Sequence, residues 1–145
     1  MKQCLAVPVI VMALLVSGCE QRPEAGVRAR EQLAVGQKIY IQHCSACHGA
    51  KLEGQPNWRQ RLPNGRLPAP PHDDSGHTWH HPPEVLVAIV KNGLVPPYAP
   101  PDYQSDMPAF AATLTDAEIA AVLAYIESHW SADVRKLRRE MLEQR

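Results

Sequence analysis

The chain has 145 residues, with 15 basic and 15 acidic side chains in balance. That length allows one domain plus appendages, and the balanced charge leaves no electrostatic footprint for nucleic acid. Aromatic residues make up 6% and Phe110 is the sole phenylalanine, so a domain of ~100 residues built from these side chains has a thin core of its own.

Met1-Lys2 is followed by an apolar run from Cys4 to Val16 that contains Pro8. The run is shorter than the ~20 residues of a membrane span and fits the apolar region of an export signal. It closes with Leu15-Val16-Ser17-Gly18-Cys19, which resembles a bacterial lipoprotein box. That resemblance implies a signal at residues 1–18, cleavage before Cys19, and lipidation of Cys19. An ordinary secretory signal with an incidental Cys19 is the alternative. Loss of residues 1–18 removes Lys2 alone among the charges, leaving 14 basic against 15 acidic residues. Residues 19–30 are polar, hold Pro23 and Gly26, and show no sustained periodicity, so they read as a lipid-anchored tether. About eleven flexible residues would reach ~18 Å.

Leu33, Ile39 and Tyr40 give a partial helical stripe, with Gly36 four residues before Tyr40. It leads into Cys44-Ser45-Ala46-Cys47-His48. Two thiols at this spacing with an imidazole directly behind them read as a c-type haem attachment. Each thiol adds to one porphyrin vinyl group, and the following imidazole points at the iron. A zinc site would need two more ligands, and the remaining cysteines, Cys4 and Cys19, lie in the export signal. A thioredoxin-like pair would follow a strand, whereas Val35 to Gln42 has helical character.

Over residues 31–130 the sequence resembles the class I c-type cytochromes. The resemblance implies one covalent haem c, held by Cys44 and Cys47, with His48 as an axial ligand. It implies that Gly36 and Tyr40 meet the C-terminal helix at a close crossing. It also implies a proline carbonyl bonded to the ligand imidazole; in Pro56-Asn57-Trp58 the candidate is Pro56, with Pro70 and Pro71 as rivals. A buried porphyrin would supply the apolar surface that the polypeptide lacks, and attachment of haem outside the bacterial cytoplasm agrees with the export signal.

Twelve of the fourteen prolines fall between Pro56 and Pro108, so regular structure there must be brief. One helix is expected from Pro83 or Glu84 to Lys91, ended by Asn92-Gly93. Ser105-Asp106-Met107-Pro108-Ala109-Phe110 is similar to the axial-methionine loop of the family and makes Met107 the second iron ligand. Met1 and Met12 leave with the signal and Met141 sits in a charged tail, which agrees. His72, His77, His80 and His81 form a cluster that the haem reading does not require. A polar loop with Trp79 and one histidine near the haem is the reading favoured here. Copper or zinc binding, a hydrogen bond to a propionate and competition with Met107 are the alternatives. Trp58, Trp79 and His77 join Pro56 as candidates to surround the haem.

Thr115-Asp116-Ala117-Glu118 is a capping box, and Ile119, Val122, Leu123 and Ile126 recur at helical spacing behind it. Trp130 closes the expected haem domain. Residues 131–145 are a basic helical extension, expected to be solvated and to fray, with docking to a partner or anionic membrane as the alternative.

The expectation is an all-α cytochrome c fold: few short helices wrapped around one covalent haem, with a long proline-rich loop. The expected function is one-electron transfer by a His/Met-ligated carrier, not an enzyme. It would be anchored by lipid in the bacterial envelope, face the periplasm, and serve a membrane oxidase, reductase or dehydrogenase. The alternative is a haem enzyme or a gas- or metal-sensing haem protein that uses the histidine cluster.

Overall fold

The computed structural model describes residues 22–144. The expected export signal at residues 1–18 and the expected lipidation site Cys19 lie outside the described residues. Within that span the regular elements are helical. They are α1 (Arg22–Ile39), α2 (Ser45–His48), α3 (Pro83–Asn92), α4 (Asp116–Ser128) and α5 (Ala132–Glu143), with a π-helical turn at Tyr40–Cys44 and a 3-10 turn at Thr78–His80. No strand occurs among the described residues.

Helix α1 starts earlier than its apolar pattern suggests, because residues 22–30, expected as a tether, form its first half. Ala25, Arg28, Ala29 and Arg30 are favourable helix residues. Glu24 lies in the first turn and pairs with Arg28 one turn on at 3.1 Å. Residues 24–32 are exposed. They carry no apolar stripe, in keeping with that exposure.

The second half of α1 crosses α4. Gly36 is buried there, and a Cβ at Gly36 would overlap the backbone carbonyl of Ala121 and come within 2.8 Å of Tyr125 Cβ. Absence of a side chain thus sets how closely the helices approach. One turn later Tyr40 is fully buried, 5.5 Å from the ring of Tyr125, and its hydroxyl donates to the carbonyl of Gly49 at 2.9 Å. Ile39 and Tyr40 join Leu52, Phe110, Leu114, Ile119, Val122, Ile126 and Trp130 in one core.

The capping box of α4 forms in full. Thr115 Oγ1 accepts from the Glu118 backbone N–H at 3.3 Å, and Glu118 Oε2 accepts from the Thr115 N–H at 2.8 Å. Lys91 at the end of α3 pairs with Asp116 at the start of α4, 2.7 Å apart. Residues 49–77 contain only turns, bends and irregular backbone. They double back on themselves: Gln55 N–H donates to the Ala69 carbonyl at 2.9 Å, and His72 N–H to the Leu52 carbonyl at 2.8 Å.

Helix α5 is docked where the sequence suggests fraying. Ser131 caps it through the Val134 N–H at 3.2 Å, and the Ser131 N–H donates to Asp74 Oδ1 at 3.0 Å. Arg138, in the middle of the basic face, is 4% exposed and donates to the carbonyls of Trp79 and His81.

Gly36→Ala tests the crossing. Helix propensity alone would favour Ala by ~1 kcal/mol, yet overpacking against rigid backbone should give a net loss of about 1–3 kcal/mol. Thermal unfolding of the intact protein should show a lowered midpoint; an unchanged or raised one would mean that the crossing is loose.

Candidate functional site

The site starts where α1 changes pitch. At Tyr40–Cys44 the helix widens into a single π turn, a local irregularity common at functional positions. The shift delivers Cys44 to the start of α2, whose one turn carries Ser45, Cys47 and His48. Gly49, at φ +82°, then turns the chain sharply away. Cys44 is half-buried and Cys47 exposed, and the two are not joined in a disulfide. Burial, then the neighbouring Cys47, pushes the Cys44 thiol up to about 11.

His48 is 8% exposed, and its Nδ1 lies 2.8 Å from the carbonyl oxygen of Pro70. A carbonyl can only accept, so Nδ1 carries the proton and Nε2 keeps its lone pair. Burial holds the imidazole below the ordinary histidine value, with the Pro70 bond acting against it. The result is a neutral, oriented ring with a free donor nitrogen, which a metal requires. The proline is therefore not Pro56, which is exposed. Doubling back of residues 49–77 brings 69–72 beside 52–55, next to α2, and selects Pro70.

The ring of His72 stacks on that of His48, centroids 3.9 Å apart and planes within 20°. His72 Nδ1 lies 2.8 Å from Thr78 Oγ1, and the His72 carbonyl accepts from Trp130 Nε1 at 2.8 Å. Burial first, then the imidazoles of His48 and His77, holds His72 well below the ordinary histidine range.

Met107 is half-buried against the common core. Its loop is tied on both sides. Arg66 pairs with Asp106, while Phe110 N–H donates to the Val90 carbonyl and Ala111 N–H to the Lys91 carbonyl, each at 3.0 Å, at the end of α3. The Met107 N–H itself donates to Ser105 Oγ at 3.1 Å.

Residues 31–126, more than half of the chain, match the family described as cytochrome c oxidase, cbb3-type, subunit III. The chain belongs to this cytochrome c family. No curated protein and no solved structure matches it. Membership brings one covalent haem c, haem-based electron transfer, and the setting of periplasm-facing bacterial proteins with respiratory redox partners. None of the described helices is long and apolar enough to cross a membrane.

The residues of this cytochrome c domain fit such a group. Besides the thiol pair and the oriented imidazole, two buried polar atoms, His77 Nδ1 and Trp79 Nε1, lack a hydrogen-bond partner. An unmet buried polar group costs ~1–3 kcal/mol, and a haem, which carries two propionates, supplies acceptors for both. Trp58 stacks on His77, ring centroids 5.3 Å apart. Of the four clustered histidines, His72 stacks on His48, His77 lies between Trp58 and His81, and His80 is edge-on to Trp79. Among the described residues no group of three His, Cys, Asp or Glu side chains is arranged to hold a metal ion.

Sequence reasoning named His72 only as one member of the cluster and missed Arg138. The prolines Pro56, Pro70 and Pro71 look alike in sequence, and nothing local marks Arg138 among Arg135, Lys136 and Arg139.

His72 gives a pH prediction. Its folded value lies below the ordinary 6.5, so between the two values the unfolded chain binds the proton and the folded one does not. Its contribution is complete above pH 6.5 and declines as pH falls below it. His72→Leu should remove up to ~1.4 kcal/mol per pH unit from the acid-side slope. Denaturant midpoints between pH 7 and pH 5 would measure that slope, and an identical slope in wild type and variant would contradict the placement.

Proposed function

We propose that this protein is a single-electron carrier whose haem is joined to Cys44 and Cys47 and ligated axially by His48 and Met107. The observation that carries the reading is the His48–Pro70 bond at 2.8 Å, directly behind the two thiols. It leaves Nε2 as an available donor, with the ring oriented by the Pro70 carbonyl. When bound, the haem supplies an iron that alternates between ferric and ferrous states. The chain's own residues do the rest. His48 and Met107 would fill both axial positions, so that little rearranges between oxidation states, and a methionine partner raises the potential. Thioether bonds would fix the ring, and the core around Tyr40 and Leu52 would exclude water behind it.

Cys19 is proposed as the lipidated N-terminus, because the Val16-Ser17-Gly18-Cys19 ending closes a short apolar run. Residues 19–30 would then link anchor and haem domain, as a partly helical spacer: α1 already covers 22–30. A lipid-anchored carrier is positioned for membrane-bound partners such as an oxidase, a reductase or a dehydrogenase.

Carbon monoxide tests the closed iron. The reduced wild type should bind it slowly or not at all near neutral pH. Met107→Ala should bind it fast and show a lower reduction potential. Fast, stoichiometric binding by the undamaged wild type would shift the reading to an enzyme or a gas sensor.

A further inference from the structure

Arg138 lies beyond the residues that match the family, on a helix outside the core crossing. A guanidinium at 4% exposure is rare unless its donors are satisfied. Its Nη1 donates to the carbonyls of Trp79 at 2.7 Å and His81 at 2.5 Å, and its Cζ lies over the ring of Trp130, 5.2 Å from the centroid. One of those carbonyls belongs to Trp79 itself, within the 3-10 turn, and the other to His81 directly after it; the Trp79 indole N–H is buried without a partner. The neighbouring bonds from the α4–α5 junction fall on the same wall. Trp130 Nε1 donates to the His72 carbonyl at 2.8 Å, and the Ser131 N–H to Asp74 at 3.0 Å. Residues 72–81 are therefore held from one side by the C-terminal segment at His72, Asp74, Trp79 and His81.

We propose that Arg138 is a positioning residue for the haem: by gripping the carbonyls of Trp79 and His81 it aims the Trp79 indole N–H at a haem propionate. This rests on the haem reading above. A donor on a propionate offsets its negative charge, and that charge favours ferric iron. Losing the donor, or losing what aims it, lowers the reduction potential. Arg138 acts through Trp79, so the two effects overlap and do not add.

The test measures the reduction potential of the full-length holoprotein as wild type, Trp79→Phe, Arg138→Gln and the double variant. Both single variants should fall below wild type, and Arg138→Gln should add less than half its own shift in the Trp79→Phe background. An unchanged potential in Arg138→Gln beside a lowered melting temperature would reduce Arg138 to a structural tie and overturn the proposal. Equal shifts in both backgrounds would show that Arg138 acts by its own charge and would also overturn it. Should Arg138→Gln give no holoprotein, Arg138→Lys keeps the charge but is too short to grip both carbonyls, and the same comparison decides. A wild type without covalent haem, seen by its spectrum and mass before any potential is measured, would instead overturn the reading on which the proposal rests.

Discussion

Contact between α1 and α4 at Gly36 is the constraint on which the rest depends. A missing side chain there lets the α1 backbone rest on Ala121, and that approach buries Tyr40 beneath Tyr125. From Tyr40 the hydroxyl reaches the Gly49 carbonyl, bridging across the whole Cys44–His48 turn. The π turn between them places Cys44, and α2 places Cys47 and His48 within a single turn. Helix packing far from the thiols thus sets where the thiols stand.

A second level of order comes from the irregular chain. Residues 49–77 gain little from hydrogen-bonded secondary structure, and prolines reduce the entropy they lose on folding. What fixes them is a small set of directed bonds: Leu52 to His72, Gln55 to Ala69, Trp130 to His72 and Ser131 to Asp74. The Pro70 carbonyl that orients His48 lies in the middle of this set. The His48 imidazole is therefore oriented by the closure of a loop, and the loop is closed partly by the α4–α5 junction.

Legibility in the sequence followed range. Cys44-x-x-Cys47-His48 is the spacing that covalent haem attachment would dictate, and the Thr115–Glu118 box is readable because both its bonds are local. Helix α3 was placed within a residue of its observed ends, since Pro83 starts it and Gly93 follows it. Choosing Pro70 over Pro56 was beyond the sequence, because it depends on which two distant segments pair. The first half of α1 lacked a signal for another reason: a helix segment exposed all round shows no apolar stripe. Arg138 was hidden by its neighbours, since a basic run looks the same whether one member is buried or all are solvated. The close approach at Gly36, by contrast, follows from the family resemblance and stands in the geometry.

The central claim is that the Cys44–His48 turn is a covalent haem site oriented from behind by the protein. Peptide mass analysis of the exported wild-type protein tests it most directly. The account predicts a fragment containing Cys44, Cys47 and His48 that carries the mass of one haem through two thioether bonds. Recovery of that fragment with unmodified thiols, or with Cys44 and Cys47 joined to each other, would contradict it.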